Sequence, residues 1–480
     1  MAARIVLALG SAVLYAAALQ TSAGVVLGSL ALAPFLVASV RSTPREAFGL
    51  GVLLGLATTL AVAWWLPGMC ERFFGLTPLL GWPGLALVGL TADGLPFAAF
   101  GAWLAWSARR GALTPLRVGA AFALCELARA QVNPFGLLGY GLAGSPFAQA
   151  ADLAGPWGLG ALLAAASAAL AGPFAPALAG GRPRRALAAV ALAGLATLGY
   201  GELRLAQEFG DGPPLRVAAV QGAIARQMHW DRSTRGANLA RYLELNREAT
   251  REHAALVFWP EFAVDFYLSE ETLERARLLD GVHDAGADVV LGASRYERDR
   301  DDARYFNSVY SIDGRGRLHA AVYDKQRLVP FAEAQYVAGR APRLVETRSA
   351  RVGAFLCAET LYPEVARGLA RAGAELLANP SNDYWFGAPQ AAEAQLVSAT
   401  FRAIENRRAL VRATATGVSA IVDPHGRVTA RSAGDGPEVV AAELRRSSAV
   451  TVYQRAGDLG VALAGLLTLA VARRTRGGTP

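Results

Sequence analysis

A thiol, an ammonium and a carboxylate stand at the ends of three apolar runs in this sequence. Cys357 follows Val352-Gly-Ala-Phe-Leu356, Lys325 follows Ala320-Ala-Val-Tyr-Asp324, and Glu261 follows Phe258-Trp259-Pro260. Together these residue types can run nucleophilic acyl chemistry. A cysteine has an ordinary pKa near about 8.5 and is mostly thiol at neutral pH, so a carboxylate within reach can take its proton as general base. An ammonium can hold the thiolate and then the oxyanion of a tetrahedral intermediate, a role worth roughly 2.7–4 kcal/mol for one well-placed donor. The product of attack is a thioester on the cysteine. Each residue alone also has a plainer reading: Cys357 as a small buried side chain, Glu261 as a loop carboxylate after proline.

Lys325 stands out for a second reason. Lysine and arginine together number 47, and Lys325 is the only lysine. The arginine bias as a whole reads as genome base composition. A lysine retained against it marks a place that needs a compact ammonium with a tunable pKa.

The elements that must position these residues read as an α/β domain. Strand patterns fall at 215–221, 255–259, 288–292, 304–312, 317–324, 351–357, 374–379, 409–415 and 418–423, with helical stretches at 235–252, 269–285, 361–372 and 388–406. Strands mixed with helices give the α/β class. The three candidate residues sit at strand ends, where side chains of α/β folds commonly meet ligands.

The rest of the chain is different in kind. It has 480 residues, 53% hydrophobic and only 18% charged, against about 25% charged in soluble domains. The deficit is concentrated in the first 200 residues, which are rich in Ala, Leu, Gly and Val. A bilayer core of about 30 Å needs about 20 apolar residues as helix. Such stretches occur at 4–20, 24–40, 46–66, 85–108, 115–131, 156–178, 185–203 and 457–473. The first resembles a signal peptide in position, but further spans follow at once, so it reads as a retained helix. The expected domains are 1–204 (seven membrane helices), 205–455 (catalytic) and 456–480 (an eighth helix and tail).

Arginines sort by side. Arg4, Arg41, Arg45, Arg109, Arg110, Arg117, Arg182, Arg184, Arg185, Arg473, Arg474 and Arg476 fall on one set of ends and loops, while the alternate short loops at 21–23, 67–84 and 132–155 carry only Arg72. The positive-inside rule then places both termini in the cytoplasm and the 205–455 domain outside it. The net charge of +8 is therefore a membrane-topology signal, and no nucleic-acid partner is expected. Glu126 and Arg129, inside the fifth span, are spaced to pair on one helix face, and an ionisable residue in a span is also a functional candidate.

Other chemistry finds little support. Cys70, Cys125 and Cys357 make no disulfide framework; Cys125 reads as a buried hydrophobe and Cys70 has no assigned role. The five histidines show no ligand spacing. No nucleotide loop is present, so neither a metal nor a cofactor is expected.

The strings Phe258-Trp-Pro-Glu261, Asp324-Lys-Gln-Arg-Leu-Val-Pro-Phe-Ala-Glu333 and Phe355-Leu-Cys-Ala-Glu359 resemble the three catalytic blocks of the nitrilase (carbon–nitrogen hydrolase) superfamily. With seven spans before them and one after, the chain resembles the bacterial apolipoprotein N-acyltransferases over essentially its full length. Gln221-Gly222 with Trp230 downstream, Ser381-Asn-Asp-Tyr-Trp-Phe-Gly387, and Arg402, Glu405 and Arg408 with Thr416-Gly417 also match.

The resemblance implies an αββα sandwich carrying Glu261 as general base, Lys325 as oxyanion stabiliser and Cys357 as nucleophile. It implies supporting roles for Glu333, which orients Lys325 or the substrate amine, for Glu359 in site support, and for Trp230 in substrate gating or plain packing. It implies a ping-pong reaction: Cys357 takes an acyl chain from a phospholipid, typically phosphatidylethanolamine, and the α-amino group of the diacylglyceryl-cysteine of an apolipoprotein receives it, the last step of lipoprotein maturation. The enzyme would work as a monomer in the bacterial inner membrane, among membrane lipids, with its catalytic domain in the periplasm. Phe262, Phe266, Tyr267, Leu268 and residues 384–386 would either dip into the membrane or pack in the core. Two positions depart from the family pattern: Ala332 stands where Gly is usual, and Ala358 where Tyr usually follows the nucleophile. The backbone N–H of residue 358 still serves an oxyanion hole. A membrane-anchored nitrilase-type amidase would need the same triad, and a catalytically retired scaffold would need none of it.

Overall fold

The computed structural model describes residues 1–75, 77–224, 233–270, 272–299, 302–320, 322–434 and 436–474. They form two compact units, Met1–Gln207 with Arg455–Pro480, and Glu208–Gln454.

The first unit is helical. Each of the eight expected spans overlaps a helix, and five segments (Ala2–Gln20, Pro44–Val62, Leu79–Arg109, Pro146–Ala171 and Pro183–Leu205) are long and apolar enough to cross a bilayer. Leucines such as Leu192, Leu195 and Leu203 are exposed on the last of these, as lipid-facing side chains are. Prolines account for the two main differences from expectation. The second span is split into Gly24–Ala31 and Ala33–Val40, because Pro34 removes an N–H and crowds the preceding turn. The stretch 67–84, expected as a loop, is mostly the helices Leu66–Phe74 and Pro78–Val88. Pro67 and Pro78 occupy first-turn positions, where a missing N–H costs nothing.

Glu126 and Arg129 do approach each other, at 3.8 Å, but Arg129 pairs more closely with Asp93, at 3.1 Å. Asp93 also accepts from Asn133 and Thr59. Glu126 Oε1 accepts from the Tyr15 hydroxyl (2.9 Å) and the Leu138 N–H (2.8 Å), and Arg129 donates to the carbonyls of Phe135 (2.8 Å) and Gly136 (3.0 Å). These charges satisfy non-helical backbone inside an apolar bundle, where each unmet group costs on the order of several kcal/mol.

The second unit carries twelve strands among the described residues: β1 (Asp211–Gln221), β2 (Leu256–Phe258), β3 (Asp288–Asp299), β4 (Asp302–Ile312), β5 (Tyr323–Asp324), β6 (Val345–Glu346), β7 (Arg351–Ala354), β8 (Leu376–Ser381), β9 (Leu410–Thr414), β10 (Ala420–Val422), β11 (Val428–Arg431) and β12 (Glu438–Arg446). They form two six-stranded sheets, β12-β1-β2-β3-β4-β5 and β11-β10-β9-β8-β7-β6. The central pairings β1·β2, β2·β3, β7·β8 and β8·β9 are parallel.

Strand alternation builds the layers. Val217, Ala219, Leu256, Phe258 and Val290 of the first sheet share one core with Val352, Ala354, Leu376 and Val411 of the second. The opposite face of the first sheet, with Ala218, Val220, Val257 and Val289, packs against Tyr242 and Leu243 of the helix Arg235–Arg251 and Leu278 and Val282 of the helix Leu273–Ala285. The helices Pro363–Arg371 and Pro389–Asn406 lend Val365, Leu369, Leu396 and Ala399 to the second sheet. The order helix, sheet, sheet, helix is the αββα sandwich. Phe266 and Leu268 belong to its core. Phe262, Trp385 and Phe386 are buried as well, while Tyr267 and Tyr384 are half-buried, so most of these side chains pack inside the protein.

Candidate active site

Glu261 lies three residues beyond the end of β2, on a turn in which Phe262 takes a positive φ of 52°. That turn presses against β3. A Cβ on Gly292 would stand 2.6 Å from the Glu261 Cα, so only glycine lets the two backbones approach. Lys325 directly follows β5, and its N–H is fixed by the Asn307 carbonyl at 2.8 Å. Cys357 follows β7 in the left-handed region, at φ 47°, and opens a short 3-10 turn, Cys357–Leu361. A non-glycine residue there costs roughly 1–2 kcal/mol, so its surroundings must hold it.

Glu261, Lys325 and Glu333 form one buried cluster. The Lys325 Nζ stands 3.2 Å from Glu261 Oε1 and 2.8 Å from Glu333 Oε1. Burial alone would pull the Lys325 ammonium down, but the two carboxylates outweigh it and hold it well above its ordinary value. Burial and the neighbouring Glu333 push Glu261 up, against the pull of Lys325 and Asn307. The Cys357 thiol is pushed up to about 12 by burial and then by the Glu261 charge, with Lys325 and Ser381 opposing. It therefore rests as a thiol, and its ionisation is sensitive to both Glu261 and Lys325.

Glu359 is the hub of the surrounding loops. Its carboxylate accepts from the Tyr323 hydroxyl (2.9 Å) and the backbone N–H groups of Gln326 (2.7 Å), Arg327 (3.0 Å) and Leu356 (2.6 Å). One side chain thus ties the segment after Lys325 to the segment before Cys357. Burial moves its pKa up to about 7, against Lys325 and the three backbone donors. Glu333 Oε2 meanwhile accepts the Val329 N–H at 2.7 Å, which closes the loop 329–333 over the ammonium. Ala332 is buried there beside the exposed Phe331. Arg402, which pairs with Glu405, donates to the Thr360 carbonyl at 3.0 Å and supports the turn after Cys357. Trp230 lies outside the described residues.

One member of the cluster escaped the sequence reading. Asn307, fully buried on β4, donates to Glu261 Oε1 at 2.8 Å and to Glu333 Oε1 at 2.9 Å. The signal was an asparagine inside Arg304-Tyr-Phe-Asn-Ser-Val-Tyr310, a residue type that strands disfavour.

The double sheet and this cluster define a class. Residues 216–454 match the carbon–nitrogen hydrolase family, and residues 11–169 match the apolipoprotein N-acyltransferase N-terminal domain. An apolipoprotein N-acyltransferase of Geobacter metallireducens is 30% identical over 461 residues, spanning 90% of this chain and 87% of that protein. Another, of Caulobacter vibrioides, is 30% identical over 481 residues, spanning 92% and 88%. The chain belongs to the apolipoprotein N-acyltransferase family. Among solved structures, an amidase from Nesterenkonia sp. AN1 with acrylamide added at its active-site cysteine is 21% identical, covering 48% of this chain and 92% of that one at a TM-score of 0.39.

Proposed function

We propose that this protein is a membrane acyltransferase that moves an acyl chain from a phospholipid, through a thioester on Cys357, to the α-amino group of an apolipoprotein's diacylglyceryl-cysteine. The observation that carries the reading is the pairing, in one chain of this family, of an apolar helical unit with a buried Glu–Lys–Glu cluster at the strand ends that also bear a thiol.

The geometry supports these steps. Glu261 takes the Cys357 proton as the thiol attacks the ester carbonyl. Both hydrogen bonds to Glu261 fall on Oε1, which leaves Oε2 for that proton. Its raised pKa brings base and thiol closer and eases the transfer. Lys325, held by Glu333, stabilises the developing oxyanion together with the Ala358 N–H. The ester bond breaks, the proton passes to the departing lysophospholipid oxygen, and the thioester remains. The incoming amine then loses a proton to Glu261 and attacks the thioester. Its collapse returns the cysteine as thiol. A lipid-facing site suits both substrates, because neither need expose its acyl chains to water. The donor is taken to be phosphatidylethanolamine, the enzyme a monomer, both termini cytoplasmic and the domain 205–455 periplasmic, the last from the arginine asymmetry.

The test incubates the purified full-length protein with a labelled phospholipid and a diacylated lipopeptide. Label on the Cys357 peptide, followed by N-acylated lipopeptide, is the expected result. Label that never reaches Cys357 would sink the reading, and release of free fatty acid alone would favour a hydrolase. Reporter fusions after residue 330 and at both termini test the orientation.

A further inference from the structure

Behind the nucleophile lies a polar network that the steps above do not use. Asn379, on β8, donates from Nδ2 to the carbonyls of Phe355 (2.9 Å) and Cys357 (3.3 Å). One amide group thus grips the backbone on both sides of the left-handed turn. Its Oδ1 accepts from Nη1 of Arg412, its cross-strand partner on β9. Arg412 Nη2 binds Asp383 Oδ1 at 2.6 Å and Gln395 Oε1 at 3.2 Å. Ser381 Oγ donates to the same Asp383 oxygen at 3.0 Å. Asn379, Ser381, Gln395 and Arg412 are fully buried. A Cβ on Gly417, at φ 95°, would collide with the Asp383 side chain, which explains why glycine stands there.

The residue types give the network a direction. An asparagine amide is nearly symmetric in shape but not in chemistry, with an acceptor on one side and donors on the other. Arginine only donates, so Arg412 fixes Oδ1 toward itself and thereby turns Nδ2 toward the two carbonyls. Lysine could not fork to Asn379 and Asp383 in the same way. Stability is a poor reason for the arrangement, since a buried ion pair is often no better than well-packed apolar residues of the same volume. What it supplies is a fixed orientation next to a strained residue.

We propose that Asn379 and Arg412 are positioning residues for the nucleophile: Arg412 orients the Asn379 amide, and the amide holds the turn from which Cys357 presents its thiol. The inference rests on the reading of Cys357 as nucleophile.

The test uses the full-length protein in detergent or nanodiscs. In Asn379→Asp, one oxygen still meets Arg412, but the other faces two carbonyl oxygens in place of donating to them. Arg412→Lys leaves the charge unchanged and removes the fork. The readouts are the rate of Cys357 alkylation by iodoacetamide across pH, resolved by peptide mass spectrometry, the kcat and KM of acyl transfer, and thermal melting. For both variants kcat falls by about 10²-fold, the cost of a roughly 1 Å misplacement. KM stays near wild type, and alkylation slows with kcat at every pH. If Asn379→Asp melts too low to assay, Arg412→Lys decides alone. Wild-type alkylation and kcat in a folded variant, or activity lost only in step with melting, overturns the proposal. Full activity in Cys357→Ala would instead overturn the nucleophile assignment itself.

Discussion

Replacing Asn307 by alanine tests the carboxylate cluster at its least obvious point. The amide donates to Glu261 Oε1 and to Glu333 Oε1. On Glu261 it favours the charged form, and it is one of the influences that lower the Glu261 pKa against burial. A hydrogen bond to a charged group contributes about 1.5–3 kcal/mol. Its loss therefore raises the Glu261 pKa further. The sign follows from the role proposed for Glu261: a base must be ionised to accept the thiol proton, and that form is lost as pH falls. In Asn307→Ala the acid limb of kcat/KM for thioester formation moves to higher pH, and the rate recovers on the alkaline side. Because Glu261 and Glu333 share Lys325, the limb reports a macroscopic value of the cluster. The assay is single-turnover acylation of Cys357 by a labelled phospholipid across pH. A limb that stays in place while activity falls uniformly would refute base catalysis tuned by Asn307.

Lys325→Arg keeps the charge but must fit a planar guanidinium between two oxygens that now lie 2.8 and 3.2 Å from one nitrogen. Single-turnover acylation should slow by about 10²–10³-fold, the range for losing an oxyanion donor. Glu359 gives a stability signature. Its folded pKa of about 7 exceeds its ordinary 4.5, so its contribution is fullest below 4.5 and is lost as pH rises through 7. Melting in detergent between pH 5 and 8 should lose that component in Glu359→Gln. In the helical unit, Arg129→Met leaves Asp93 buried without its 3.1 Å partner, at a cost of about 3–5 kcal/mol. The double variant with Asp93→Leu should recover much of the lost melting temperature, and no recovery would mean that the two are not coupled.

The reach of the sequence was uneven for physical reasons. Glu261, Lys325 and Cys357 announced themselves because each ends an apolar run, and Lys325 because no other lysine competes with it. Asn307 stayed hidden because β4 is long and its neighbours read as ordinary strand. The strand expected over 317–324 shrinks to Tyr323–Asp324, with a single bridge from Leu318 to Ile312. β12 was missed altogether, since Glu438–Arg446 alternates weakly and finds its partner, β1, over 200 residues back. Long-range pairing of that kind leaves little trace in local pattern. Arg412 and Asn379 were invisible for a related reason: their meaning lies in a cross-strand register, which neither residue shows alone.

The left-handed turn at Cys357 also bears on how this protein can evolve. At most positions glycine is the worse replacement, since it frees the unfolded chain by about 0.5–1 kcal/mol relative to alanine. At φ 47° the order inverts, because alanine keeps the clash of about 1–2 kcal/mol that glycine relieves. Cys357→Gly should therefore melt above Cys357→Ala, both being inactive. Mutational drift toward a sturdier fold at this position leads away from the thiol, so only selection for activity keeps a side chain there.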